Sequence, residues 1–186
     1  MNQPTKSDRH FTAFLWVVLG ILGRLIPHPP NMTPMTSIAL FGGSQLSRAR
    51  AFAVTMLTMI VSDILLAWFE GHAIFGWWSL FTYSGFAVVV VGGIWLRTIP
   101  TAARTLALLT GSSLFFWLWT NLGIWLVGEG SPYAHTMMGL VDCYLAAIPF
   151  LGNALVGDLA WGLVLFVSFH YVRRAAPRLG LAVQGA

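Results

Sequence analysis

The stretch Phe75-Gly-Trp-Trp-Ser-Leu-Phe-Thr-Tyr-Ser-Gly-Phe-Ala-Val-Val-Val-Val-Gly-Gly-Ile-Trp-Leu96 holds no charged residue, and Arg97 follows it at once. As a helix rising about 1.5 Å per residue, it reaches the roughly 30 Å needed to cross a bilayer's hydrocarbon core. Five further apolar stretches lie around it. They run over Phe11–Ile26, Pro34–Leu46, Ala51–Phe69, Thr105–Val127 and Ile148–Tyr171. The first must stop at Pro27-His28-Pro29-Pro30, because proline supplies no N–H and restricts the residue before it. The second is short and rich in small residues (Ser37, Ala39, Gly42, Gly43, Ser44), which suits a helix packed closely among others. Between the fifth and sixth, Ser131–Ala147 has apolar and small positions at helical spacing and reads as a short extra helix on the outer side.

Composition agrees with a bilayer as solvent. Hydrophobic residues make up 57% of the chain and charged residues 9%, against about 25% charged in soluble domains. So few charges cannot coat a globule of 186 residues, and no room is left for a separate soluble domain. We therefore expect one integral membrane domain over 1–186. Its fold class is all-α: a polytopic bundle of six transmembrane helices with both ends in the cytoplasm. The polar start, with Lys6 and Arg9, resembles the n-region of a signal peptide. No small-x-small cleavage site follows, so it reads as a retained first helix.

The basic residues give the orientation. Lys6 and Arg9 precede the first stretch, Arg48 and Arg50 the third, and Arg97 and Arg104 the fifth; Arg173, Arg174 and Arg178 follow the sixth. The intervening connections carry Glu70 and Glu129 and no Lys or Arg. Basic loops mark the cytoplasmic side, so the expected location is the bacterial cytoplasmic (inner) membrane, with N and C termini inside. The same placement makes the net charge of +4 a matter of topology and argues against a nucleic-acid partner.

The remaining basic residue, Arg24, falls at the outer end of the first helix, and other polar residues fall on the same side. His28, Asn31 and Thr33 lie in the first outer loop, Asp63 near the outer end of the third helix and Asn121 in the fifth. His135 sits in the outer segment, and Asn153 and Asp158 in the outer half of the sixth helix. Ionisable groups are costly in a membrane and by default mark a functional site, so these residues form the candidate ligand-binding set. Each has a plainer reading. Arg24 paired with Asp63 or Asp158 would lock helices together, and Asn31, just before Thr33-Pro34, would cap a helix. Cys143, the single cysteine, excludes an internal disulfide; with His28 and His135 it makes a candidate metal set, though the spacing matches no zinc signature and a small buried thiol is the plainer reading. Among the aromatics, Trp77, Trp78, Trp117, Trp119, Trp125 and Tyr144 fall where they could wall a pocket for a planar ligand. No nucleophile elbow, zincin helix or phosphate-cradling glycine loop is present, so an enzyme is not expected.

Three runs carry a resemblance. They are Arg24-Leu-Ile-Pro-His-Pro-Pro-Asn-Met-Thr-Pro34 with Ala39-Leu-Phe-Gly-Gly43, Ser62-Asp63, and Gly139-Leu-Val-Asp-Cys-Tyr-Leu-Ala-Ala-Ile-Pro-Phe150 with Gly157-Asp158. The chain resembles a family of small, uncharacterised bacterial membrane proteins along nearly its whole length. In size, helix number and outward-facing site it also resembles the substrate-binding S-components of energy-coupling factor (ECF) transporters. That likeness implies capture of a small nutrient from the outer face (a vitamin, a cobalamin- or haem-like cofactor, or a metal chelate), with the first outer loop as gate. It also implies docking to an ATPase-driven coupling module, which S-components often achieve through A-x-x-x-A spacing in the first helix. Here only Gly20 and Gly23 approach that spacing, which leaves open a version that works alone. The rival function is a membrane assembly or scaffold protein whose buried polar residues only hold the bundle.

Overall fold

A computed structural model describes residues 6–71, 73–127 and 132–175, with side chains from 15 to 171. Six helices follow one another: α1 (Lys6–Leu25), α2 (Met35–Gln45), α3 (Arg48–Glu70), α4 (Trp77–Leu96), α5 (Ala102–Val127) and α6 (Met137–Ala175). No strand occurs among the described residues. Four of the helices, α3 to α6, are long and apolar enough to cross a membrane.

One expectation on helix lengths needs correcting. The stretch over 34–46 does form a helix, but at 11 residues it spans only about 16 Å, roughly half the hydrocarbon core. The separate short helix expected before the last span is absent. Residues 137–147 instead join the sixth stretch in a single 39-residue helix that runs straight through Pro149. Proline removes one backbone hydrogen bond without ending the helix where neighbouring helices hold the flanking turns, as α5 does here.

The helices alternate in direction. The C-terminal ends of α1 and α3 meet through Arg24 and Asp63, while Arg97 at the end of α4 reaches the end of α2. α5 and α6 run antiparallel, joined from Trp125 and Ala134 at one end to Leu109 and Gly162 further along. Trp16, early in α1, and Phe166 and Phe169, late in α6, all pack on Phe41, with ring centroids 4.7, 5.0 and 5.3 Å away. The bundle therefore has one end that carries Arg48, Arg97 and Arg104 and an opposite end that carries Asp63 and Glu70.

α2 is the hub. From Met35 to Ser44 every residue is buried, and α2 packs on α3, α4 and α6. Small residues permit this approach. A Cβ on Gly43 would overlap the Val90 carbonyl of α4, and one on Gly93 would overlap the Leu40 carbonyl of α2. Lipid tails are as apolar as leucine, so a membrane bundle is held by such close packing and by hydrogen bonds. Hydroxyls buried here return their protons to their own helix: Thr55 to Ala51, Thr58 to Val54 and Ser62 to Thr58, at 2.9, 2.7 and 2.6 Å.

Candidate functional site

Arg24 closes the last turn of α1, where a cation is favoured by the helix dipole and by the free carbonyls. Gly20, one turn earlier, has no side chain to hold α1 away from Thr58 of α3, so the two helices lie close and Arg24 reaches across. Its Nη1 lies 2.7 Å from Asp63 Oδ1 and donates to Ser62 Oγ at 2.5 Å. The Met59 carbonyl and sulfur stand further off, at 3.5 and 3.4 Å. From α4, the Tyr83 hydroxyl donates to Asp63 Oδ2 at 2.7 Å. Three helices thus place a guanidinium, a carboxylate and a phenol in one chain of contacts. The side chains of Arg24 and Asp63 are 16% and 18% exposed, so the pair is largely shielded yet still reachable.

This chain forms the floor of a cleft of about 470 Å³ between α3 and α4. Thr82 and Ser79 add hydroxyls to its wall, Trp78 and Ile74 add apolar surface, and Glu70 adds a second carboxylate to the lining. Such a volume falls in the range of small-molecule sites, which combine apolar walls with a few convergent polar groups. Chemically, the cleft offers a cation and an anion to a zwitterionic or hydrogen-bonding solute, and an indole to a flat one.

A second polar group lies deeper. Asp158 of α6 is 3% exposed and accepts a hydrogen bond from Ser113 Oγ of α5 at 2.6 Å. Ser37 of α2 donates to the backbone carbonyl of Asp158 at 2.7 Å, with Thr36 beside it in the same turn. These residues are the first turn of α2, where an acidic group faces the positive end of the helix dipole. At the other end of α2, Arg97 donates to the Gly43 carbonyl at 2.6 Å and also to that of Leu46.

The residues expected to share one site are therefore divided. Arg24 and Asp63 meet; the alternative pairing of Arg24 with Asp158 does not form. Asn31 is exposed and takes a left-handed backbone (φ 65°) in the turn after the prolines. It caps nothing: the residue before α2 is Pro34, with no side-chain cap bond. His28 Nδ1 lies 2.9 Å from the Pro29 carbonyl beside it, and Thr33 is half-buried in the same loop. Asn121 donates to the Trp117 carbonyl on its own helix at 2.8 Å, and Asn153 is half-buried on α6. None of Asn31, His28, Thr33, Asn121 and Asn153 is among the residues that line the cleft.

The metal set is not assembled. His135 is exposed against Trp125, Cys143 is buried with its thiol 3.5 Å from the Asn121 carbonyl, and His28 lies in the first loop. Among the described residues no three His, Cys, Asp or Glu side chains converge. Of the aromatic wall, Trp78 lines the cleft; Trp117, Trp119, Trp125 and Tyr144 instead bind their polar atoms to Ala147, Ser84, Ala134 and Leu118. Gly20 and Gly23 contact Thr58 and Pro34 and so serve internal packing. Glu129 and Arg178 lie outside the described residues.

Sequence reading passed over Tyr83, Ser113 and Thr36. Each is a hydroxyl inside an apolar run; the signal for Tyr83 and Ser113 was the buried carboxylate that each one meets.

The chain belongs to a family of unknown function (DUF6580), whose pattern matches residues 5–179. No curated protein and no solved structure matches it.

Proposed function

We propose that the chain is a bacterial inner-membrane protein that captures a small solute from the outer face. The observation that carries this reading is the cleft whose floor is Arg24, Asp63 and Tyr83, at the end of the bundle opposite Arg48, Arg97 and Arg104. Basic loops on the cytoplasmic side orient the cleft outward. In this reading α1 and α2 act as the first two of six passes, with α2 crossing as a short helix shielded by its neighbours and both termini inside. The volume favours a single- or double-ring vitamin over a cobalamin- or haem-sized macrocycle. Binding would draw on the paired charges and on the Trp78 face, and the first outer loop, with His28 and Asn31, would act as a gate. The likeness to ECF S-components supports the reading through size and helix number. Gly20 and Gly23, taken up internally, favour a form that works without a coupling module.

The scaffold reading has its own support: Arg24 and Asp63 find partners inside the bundle, in each other, Ser62 and Tyr83, as a purely structural lock would. Native mass spectrometry on gently purified protein separates the two. Capture requires a stoichiometric small molecule retained from the cell; bare protein in every preparation supports the scaffold.

A further inference from the structure

We infer that Asp158 is a proton-binding site buried at the junction of α2, α5 and α6, distinct from the outer cleft. The argument rests on counting protons. Ser113 Oγ lies 3.0 Å from the Leu109 carbonyl and 2.6 Å from Asp158 Oδ2. Neither of those oxygens brings a proton of its own when the carboxyl is ionised, and a serine hydroxyl has one proton to give. One of the two contacts is then empty. A proton taken up on Asp158 Oδ2 fills it: the acid donates to Ser113 Oγ, and the serine turns its own proton to Leu109. Loss of that proton returns the serine hydroxyl to the carboxylate. Two hydrogen-bond arrangements therefore exist on one set of heavy atoms, the protonated one filling both contacts and the ionised one filling one, and they differ by a single proton exchanged with solvent.

The surroundings hold no competitor. α6 packs against α5 and α2, and α2 contains no titratable side chain. Around Ser113, from Leu109 to Phe116, α5 contains none either. Thr36 and Ser37 bring hydroxyls, and Ser37 is committed to the Asp158 backbone carbonyl. The oxygens of Asp158 and Ser113 stand too close for a metal ion between them, whereas a proton sits within that distance. Acids buried within membrane bundles mark ion pathways and proton relays. Position makes the site consequential, since Asp158 faces the first turn of α2, and a nine-residue loop joins that turn to Arg24. The inference stands whether or not the cleft binds a solute.

Infrared difference spectra of the protein in lipid vesicles, taken between acid and alkaline buffers, test it. A carboxylic-acid C=O band should appear in acid, disappear in alkali and move to lower frequency in heavy water. Asp158→Asn should lose it, while Asp63→Asn should keep it. Ser113→Ala should retain the band but raise its frequency, and that variant decides the matter should Asp158→Asn fail to fold. A spectrum of Asp158→Asn identical to wild type, a band unchanged from acid to alkali, or no response to Ser113→Ala would each overturn the assignment.

Discussion

Asp158 and Arg97 stand at the two ends of one buried helix: the backbone carbonyl of Asp158 accepts from Ser37 in the first turn of α2, and the guanidinium of Arg97 caps its last turn at Gly43 and Leu46. Each charge faces the end of the dipole that favours it. An 11-residue helix so deeply buried cannot satisfy its last carbonyls with water, so Arg97 supplies there what solvent does elsewhere.

Removing the cap at Arg97 should therefore cost more than its place beside a turn suggests. Arg97→Ala leaves two carbonyls without their donor, at about 1–3 kcal/mol each. Hydrogen exchange should quicken at the end of α2, and Arg97→Lys should recover part of the protection. Unchanged exchange in Arg97→Ala would show that the cap is idle.

The Arg24–Asp63 pair gives a charge-removal test of a different kind. Arg24→Ala strands Asp63 with only Tyr83 as donor and should destabilise by about 3–5 kcal/mol, the usual cost of breaking a buried pair. Arg24→Gln combined with Asp63→Asn should melt closer to wild type than either single change. Equal melting of Arg24→Ala and wild type in detergent would contradict the pairing.

Close packing between α2 and α4 predicts a contrast among glycines. Gly93→Ala must push α2 away from α4 and should cost about 1–3 kcal/mol or more, whereas Gly111→Ala meets open space and should be neutral. Parallel thermal melts measure both, and equal effects would argue against the crossing.

Orientation is tested by reporter fusions. Those after Arg50 and Arg104 should report cytoplasm, and one at Glu70 should report the outside. The reverse pattern would turn the cleft inward and remove the basis for capture from the outer face.

Helix positions were legible because apolar runs and proline stops are local signals. Even short, small-residue α2 fell within a residue of its expected bounds. The fusion of 137–147 with the last helix was not legible. Pro149 ends a helix by local rules, and only packing against α5 carries the backbone through it. The site was read in part. Charge made Arg24, Asp63 and Asp158 conspicuous, but sequence alone could not tell that Asp63 faces α1 while Asp158 faces α2 and α5. Placing all the outer polar residues together ignored which side of each helix they occupy. That is why His28, Asn121 and His135 are scattered rather than joined.

The central claim is that the outer cleft holds a solute, and a substitution that fills it gives the most direct measurement. Ala67→Trp places an indole in the cleft while leaving Arg24, Asp63 and Tyr83 themselves unsubstituted. Native mass spectrometry of wild type and Ala67→Trp, each checked for an unchanged melting temperature in ligand-free form, compares retained small molecules. The account predicts a bound species in wild type that is lost at least tenfold in Ala67→Trp. Equal retention by both, or none by wild type, would contradict it.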